Sequence, residues 1–343
     1  MPGGVPRAIG DAGREELQWR QLVMRTQQPN KLVPREQAEL QRVWKAAVEN
    51  YTRCQLTKGT DKLVALAGIA AVVGGVSGEK YVAGMWQTEL IQQLSWRVVG
   101  CQASDGSPSK RQEPGDYRGP SWAWASVDGC IEVPPRVWQR RDYTLEIVKD
   151  PRLGLVEENA PYGQLKDGCE KEGCLVVRGQ MYEMEFSPVD SVSSDYVWTG
   201  SLSGVASGTW CRLYPDEPLA PQPGTSRSGP AEDAAIHDGT QATRADGSRS
   251  GPANDATRRE DAESIGTLKV KYAVLMLSYA SDAKTIKGEK GVSGYGLALR
   301  DYEDGTSFCR VGLVEFRSVS KAQWERFQSL PIHVPSTEDI VLL

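Results

Sequence analysis

Apolar residues in the first third of the chain recur every three or four positions, as they do on one face of an α-helix. The clearest case covers residues 35–53 and predicts a helix with an apolar stripe at Leu40, Val43, Trp44, Ala47, Val48 and Tyr51. A second stripe predicts another helix, with apolar positions at Leu63, Leu66, Ala67 and Ala70. Thr60 or Asp61 can cap this helix. We expect it to end at the glycines Gly74, Gly75 and Gly78.

From residue 121 onward, short apolar runs and alternating patterns indicate β-strands. We predict strands over 121–126, 130–133, 143–148, 174–186, 196–202, 210–214, 267–279, 295–301, 307–316 and 340–342. Further helices are predicted over 15–26, 87–95 and 321–328. In an extended backbone over 121–126, Trp122 and Trp124 share one face, and Asp128-Gly129 is predicted to form a turn after it. Packing in the core is the expected role of this pair, and recognition of a partner is the alternative.

A polar segment interrupts the strands. Residues 215–264 hold six Pro, five Gly and no aromatic residue, and residues 226–234 recur in similar form at 248–256. Such a segment buries too little apolar surface to offset its ordering entropy, so we predict a disordered insertion. Because strands flank it on both sides, we expect both flanks to share one mixed sheet or barrel-like core.

These elements predict an α+β fold, in which a helical segment packs on a mixed, mainly antiparallel β-rich body. The expected organisation is a poorly ordered segment over 1–34, the helices and first strands over 35–214, the insertion over 215–264 and the remaining strands over 265–343.

Composition and charge argue against some kinds of partner and location for this chain. The 343 residues carry a net charge of −5 with a pI near 5.4, which argues against nucleic acid or an anionic membrane as the partner. The longest apolar run, over 63–76, is too short to span a bilayer, so we expect a buried helix. Seven scattered cysteines and no signal-peptide pattern favour a reducing, cytoplasmic location.

No arrangement of residue types predicts catalysis. The two histidines, His237 and His333, have no candidate Ser or Cys nucleophile in an ordered apolar context. Cys169 and Cys174 lack a second pair at zinc spacing, and Glu183 and Glu185 are expected on a solvated strand face. We therefore predict no catalytic, cofactor-binding or metal-binding residue, and no cofactor.

Two roles are considered for the tryptophans: a surface that stacks against a ligand, and packing in the core. An acidic chain without interleaved basic residues favours the core for this set, which comprises Trp86, Trp96, Trp122, Trp124, Trp198 and Trp210. The nearest basic residues in sequence are Arg97, Arg118 and Arg136. One of them is expected to pair with Asp116 or Asp128, and spacing leaves open which.

Four segments follow one another in an order typical of a known family. The segment over 44–57 opens with W-x3-V-E-x-Y-[ST], and the segment over 61–70 reads D-K-L-x-A-L-x-G-[LI]-A. The third, over 81–86, reads Y-[LV]-A-G-[LM]-W, and the fourth, over 118–126, reads R-x-P-S-W-[SA]-W-A-S. With these motifs the chain resembles the region that follows the HET domain in fungal heterokaryon-incompatibility proteins. The resemblance covers roughly residues 40–215 and 265–343.

The resemblance implies expectations about the domain content and the function of the chain. The family's HET domain is similar to the Toll/interleukin-receptor α/β module and precedes the first motif, but residues 1–40 show none of its signatures. A truncated gene, a short paralogue and a degenerate gene all remain open. The resemblance implies a non-catalytic accessory or interaction region of a nonself-recognition and cell-death protein, with an unknown protein partner. The alternatives are an NAD-processing enzyme that depends on the missing domain, and a non-functional truncated paralogue.

Overall fold

The computed structural model describes residues 32–56, 58–113, 115–134, 143–166, 173–188, 198–202, 211–219, 270–281, 291–329 and 338–343. They all belong to one unit, formed by residues 1–219 and 269–343. The predicted helix over 15–26, both copies of the duplicated segment, and His237 and His333 lie outside the described residues.

The first helix, α1 (Pro34–Tyr51), confirms the prediction for residues 35–53. Pro34 stands in its first turn, where a missing backbone N–H costs nothing, and the Glu36 carboxylate accepts the N–H of Val33 at 3.2 Å. The fully buried members of the apolar stripe are Leu40, Trp44 and Val48. They lie four residues apart and turn one face of α1 toward the core.

The second helical segment begins with short 3-10 turns over Gly59–Asp61 and Val64–Leu66 and continues as α2 (Ala67–Ser77). The expectation that Gly74 and Gly75 end this helix is wrong. Both lie within α2, which ends at Gly78 with a positive φ of 66°. A side chain at Gly74 would collide with the Tyr162 ring and hydroxyl, so packing rather than chain reversal requires this glycine.

The span Gly59–Ser77 has 19 residues and a mean hydropathy of 1.5, which are sufficient in length and composition to cross a membrane. A core helix of a globular protein passes the same test. Leu63, Leu66, Ala70 and Val73 from this span belong to the buried core cluster, whereas Val64 is 46% exposed. The segment therefore has one face packed in the core.

Short elements connect the helices to the sheet. The strands β1 (Tyr81–Val82) and β2 (Met85–Trp86) form a hairpin. A 3-10 turn over Gln87–Glu89 and the helix α3 (Leu90–Gln93) follow, within the helix predicted over 87–95.

Two further pairs of two-residue strands contain three strands that were not predicted. Strand β3 (Arg97–Val98) pairs with β6 (Ile131–Glu132), and β4 (Lys110–Arg111) pairs with β5 (Val127–Asp128). Strand β6 lies within the range 130–133 predicted as a strand, whereas Asp128, predicted to lie in a turn, belongs to β5.

The strand predicted over 121–126 is wrong. This segment forms a turn and then a 3-10 helix over Trp124–Ser126. The Pro120 carbonyl accepts the N–H of Ala123 at 2.9 Å, and the Ala123 carbonyl accepts the hydroxyl of Ser126 at 2.8 Å. These local hydrogen bonds take the place of the interstrand hydrogen bonds that a β-strand would make. Small residues and hydroxyl side chains favour such a tight turn.

A nine-stranded sheet forms the body of the described unit. Its strands are β7 (Glu146–Lys149), β8 (Leu175–Arg178), β9 (Met181–Pro188), β10 (Trp198–Leu202), β11 (Cys211–Pro215), β12 (Val270–Ser281), β13 (Gly291–Asp301), β14 (Ser307–Ser320) and β15 (Asp339–Leu342). The order is β11-β10-β9-β12-β13-β14-β15-β8-β7, and β11 also pairs with β14. Six strands thereby close on themselves, and the last three extend the sheet beyond β14.

The sheet mixes strands from both sides of the insertion. Strand β12 lies antiparallel beside β9, and β15 is sandwiched between β14, to which it runs parallel, and β8. The expectation of one shared mixed sheet is confirmed. The helix α4 (Lys321–Gln328) follows β14 as predicted and packs its Trp324 and Phe327 against Phe316. The fold is α+β.

Candidate functional site

The residues of the four sequence motifs converge on one part of the core. The rings of Trp44 and Trp86 meet edge to face with centroids 5.4 Å apart, and those of Tyr51 and Trp124 at 6.4 Å. The second motif adds Leu66 and Ala70 to the same cluster of buried residues. Aromatic rings of the first motif therefore contact rings of the third and the fourth, and the second motif contributes residues to the same core.

The tryptophan pair is buried, as expected, although its backbone is not a strand. Trp122 and Trp124 are 0% and 2% exposed. The indole Nε1 of Trp124 donates to the Gly84 carbonyl at 2.9 Å, and that of Trp96 donates to the Trp122 carbonyl at 2.9 Å. Since each of these hydrogen bonds joins distant parts of the chain, the pair stabilises the core.

A buried cluster of charges adjoins this core. The Lys62 amine donates to the Val127 carbonyl and lies 3.8 Å from the Asp128 carboxylate. The Arg118 guanidinium donates to the same carboxylate through Nη1, and its Nε lies 4.0 Å from Asp116. The pairing that spacing left open is thus Arg118 with Asp128, and both basic side chains are almost completely buried.

The cluster perturbs the proton affinity of its amine. Burial lowers the pKa of Lys62 to about 7, against the opposing attraction of Asp128 and with help from the repulsion of Arg118. Burial, with the nearby Asp61 charge, raises the pKa of Tyr51 to about 12, so its hydroxyl keeps its proton. A perturbed group beside a cavity is a feature of functional sites.

A cavity of about 340 Å³ opens beside these groups. Tyr51, Thr52, Lys62 and Asp128 line its inner side, and Asp105 and Lys110 are among the residues of its rim. The Tyr51 hydroxyl is buried and has no hydrogen-bond partner. Sequence reasoning missed this site because Lys62 and Asp128 lie 66 positions apart, and Lys62 otherwise reads as an ordinary polar residue beside a helix.

A larger cavity of about 400 Å³ lies between α1 and the segment that follows β1. We call it the α1 groove. Its apolar floor includes Trp44, Val48, Met85 and Trp124. Its polar border includes Gln41, Arg42, Lys45, Glu89 and Gln92. Residues of three of the four sequence motifs therefore form the floor of this groove, although they are almost completely buried.

A second buried ion pair ties the helical segment to the sheet. Arg310 of β14 donates from Nε to Asp216 at 3.0 Å and from Nη1 to the Leu94 carbonyl at 2.6 Å, and both charged residues are 0% exposed. Its guanidinium also lies 3.4 Å from the centroid of the Trp96 ring. Asp216, which the sequence assigned to the insertion, is therefore part of the core.

The other residues considered for chemistry do not form a site within the described ranges. Glu183 lies 3.4 Å from Lys271, and both side chains are more than half exposed, as predicted for Glu183, whereas Glu185 is half-buried. Cys169 lies outside the described residues, and Cys174 is buried. No group of three or more His, Cys, Asp or Glu among the described residues is placed to hold a metal ion.

Comparison of the chain with protein families, with curated proteins and with solved structures found no match.

Proposed function

We propose that this chain acts as a non-catalytic interaction region of a HET-type nonself-recognition protein, and that the α1 groove binds its partner. The proposal combines the motif resemblance with one observation. The floor of the α1 groove is formed by motif residues that are themselves buried: Trp44, Val48, Gly84, Met85 and Trp124. A region whose family-like motif residues surround a groove is suited to binding another protein in that groove.

The groove has the composition of a protein-binding surface. Its centre is apolar and aromatic and its border is polar, as in interfaces where a few central residues supply most of the binding energy. The side-chain carbonyl oxygen of Gln92, on that border, is buried without a hydrogen-bond partner. An acceptor left alone in this way costs free energy, and a partner's donor can satisfy it only if the Gln92 side chain turns outward, because the oxygen has no exposed surface of its own.

A HET-type α/β domain is the occupant that the arrangement favours. In the family that the motifs resemble, this domain precedes the first motif, and here the first motif lies on α1. Ala38 lines the groove one turn after Pro34, where α1 begins. A domain connected to this end of α1 through residues 1–33 would be able to reach the groove.

The binding proposal predicts a measurable complex. A separately expressed HET domain, titrated calorimetrically into the full chain, is expected to bind. Because Ala38 is exposed on the groove border, Ala38→Trp should leave the fold intact, fill the groove and weaken binding by at least tenfold, about 1.4 kcal/mol. The matched control, Ala71→Trp, alters an exposed position of α2 outside the groove and should change the affinity less than twofold.

Two results would contradict the proposal. One is no binding by the unaltered chain, and the other is an equal loss of affinity in both tryptophan variants. The competing enzyme hypothesis is tested on the same preparation, since it requires the chain alone to release nicotinamide from NAD faster than a heat-inactivated sample. We expect no such release.

A further inference from the structure

The border that α1 itself gives to the α1 groove is a row of residues at helical spacing. Ala38, Gln41, Arg42 and Lys45 all line the groove and follow one another every three or four positions, so they share one face of the helix. Ala38 is exposed, and the side chains of Arg42 and Lys45 are 68% and 30% exposed. A second helix along this face would meet a small residue near the start of α1 and two cations further along it.

Both cations are available to a further carboxylate. Arg42 pairs with Glu39 at 2.7 Å and Lys45 pairs with Glu49 at 3.6 Å, within α1 itself. Ion pairs of this kind on a helix surface contribute little free energy, so they do not fix either cation in place. Glu89 also lines the groove, but its side chain is almost completely buried. The accessible part of the border therefore favours a partner that carries a negative charge.

The helix predicted over 15–26 has the complementary pattern. Its residues lie outside the described ranges. In its sequence, Trp19, Leu22 and Val23 form an apolar stripe at helical spacing, and Glu15 precedes Trp19 by one turn on the same face. This segment therefore offers apolar side chains at one end of its stripe and a carboxylate at the other.

The connection between the two helices suits an antiparallel pair. Residues 27–33 separate the predicted helix from α1, and helix–helix connections of this length are common between neighbouring antiparallel helices. Leu32, inside this connection, packs on the buried core cluster. The chain that precedes α1 thus runs along the protein where the structure describes it.

In an antiparallel pair the complementary groups face each other. Leu22 stands four positions before residue 26, and Ala38 stands four positions after Pro34, where α1 begins. By the same count of eleven positions, Glu15 matches Lys45. Because every helical residue rises by about 1.5 Å, matched residues lie at the same height. The apolar stripe then lies over the groove, and the carboxylate reaches the cations.

We propose that the helix predicted over 15–26 docks in the α1 groove of its own chain, and that a partner binds the groove by displacing this helix. A short connection gives a tethered segment an effective concentration in roughly the millimolar range, so even a weak contact is well populated. The docking stands without the proposed interaction role, whereas the control of partner binding rests on it.

Zero-length cross-linking of the unaltered full chain tests the docking. A carbodiimide joins a carboxylate to an amine that it contacts, and peptide mass spectrometry identifies the pair. Lys80 is the control, because it is exposed and its neighbour Glu79 accepts a hydrogen bond from Gln37 at 2.9 Å, near the start of α1. We expect at least about tenfold more amide from Glu15 to Lys45 than to Lys80, given the effective concentration of a docked group. Equal yields at the two lysines would overturn the proposal.

A pair of double variants separates docking from random encounter. Trp19→Ser with Val23→Ser removes the apolar stripe and should reduce the amide to Lys45 to the level of the control lysine. Leu17→Ser with Met24→Ser changes the opposite face of the same predicted helix and should leave the yield within about twofold of the unaltered chain. An equal loss in both double variants would contradict docking through the stripe.

Mixing isotope-labelled and unlabelled chains shows whether the helix docks in its own chain. Amides that join a labelled peptide to an unlabelled one would place the helix in a second copy and overturn the proposal.

Control of partner binding is measured by calorimetry with the separately expressed HET domain. The double variant at Trp19 and Val23 should bind it at least about threefold more tightly than the unaltered chain, because the groove is free in more molecules. Equal affinities would refute displacement. A chain that forms the Glu15–Lys45 amide without binding the HET domain would retain the docking and refute only the proposed function, so the two failures are distinguishable.

Discussion

At Gly84, a single hydrogen atom in place of a side chain decides how two motifs pack. Its φ is 89°, which L side chains rarely adopt, and a Cβ there would lie 2.6 Å from Nε1 of Trp124. The same indole donates to the Gly84 carbonyl. The glycine of the third motif and the second tryptophan of the fourth are therefore specified by each other.

Replacing Trp124 measures this dependence. Trp124→Ala should lower the free energy of unfolding by about 3–5 kcal/mol, since it removes a fully buried ring and its hydrogen bond. Trp124→Phe keeps most of the ring, leaves the Gly84 carbonyl unpaired and should cost about 1–3 kcal/mol. Chemical denaturation followed by circular dichroism gives both values. Unchanged midpoints in the alanine variant would instead assign the ring to a recognition surface.

Among the elements, β14 and β11 depend on a charge pair that also reaches the helical segment. Arg310 joins Asp216, directly after β11, to the carbonyls of Leu94 and Trp96. Burial lowers the pKa of Arg310 below its ordinary value despite the favourable charge of Asp216. An arginine remains charged even so, and its desolvation is offset only while every partner stays in place.

Removing one partner should therefore be costly. Asp216→Asn is expected to lower the free energy of unfolding by about 3–5 kcal/mol, because it leaves a buried guanidinium without its counter-charge. The matched control is Glu183→Gln, which breaks an exposed pair with Lys271 and should cost less than about 1 kcal/mol. Urea titrations of both variants test the contrast. Equal midpoints for the two variants would show that the buried pair contributes no more than the exposed one.

For the whole molecule, the sheet is continuous across the insertion. Strands from before it and from after it lie in consecutive blocks of one sheet, and these blocks join where β9 pairs with β12, β11 with β14 and β15 with β8. Neither half of the chain has a complete sheet of its own. Stability at this scale depends on pairing between the halves rather than on the chain that connects them.

Cutting the insertion should therefore leave the halves together. Its composition makes it the expected site of first cleavage, and trypsin can cut after Arg227, Arg244, Arg249, Arg258 and Arg259. After brief digestion, the two large fragments should co-elute in native buffer on a sizing column and separate in denaturant. Separation in native buffer would mean that each half folds independently.

Periodicity predicted the long elements well. Helix α1 and most of the later strands follow from apolar spacing, because burial of one face imposes the period of the element itself. The single strand predicted over 174–186 is wrong, since this range holds two strands, β8 and β9, that lie apart in the sheet. The same reasoning failed at Trp122 and Trp124, whose spacing fits a strand although local hydrogen bonds produce a turn and a 3-10 helix. It also missed strands of only two residues, such as β3 and β4, which are too short to show a period.

By itself, the sequence determined which apolar stripes enter the core and that the two flanks share a sheet, because hydrophobic burial acts on residue type and spacing. Only the tertiary structure decided which distant residues meet. Lys62 and Asp128 share a cavity, and Arg310 and Asp216 share a buried contact, because chain reversals and strand order bring them together. Spacing carries no information on such pairs, since their interaction depends on distance in space and on the exclusion of water.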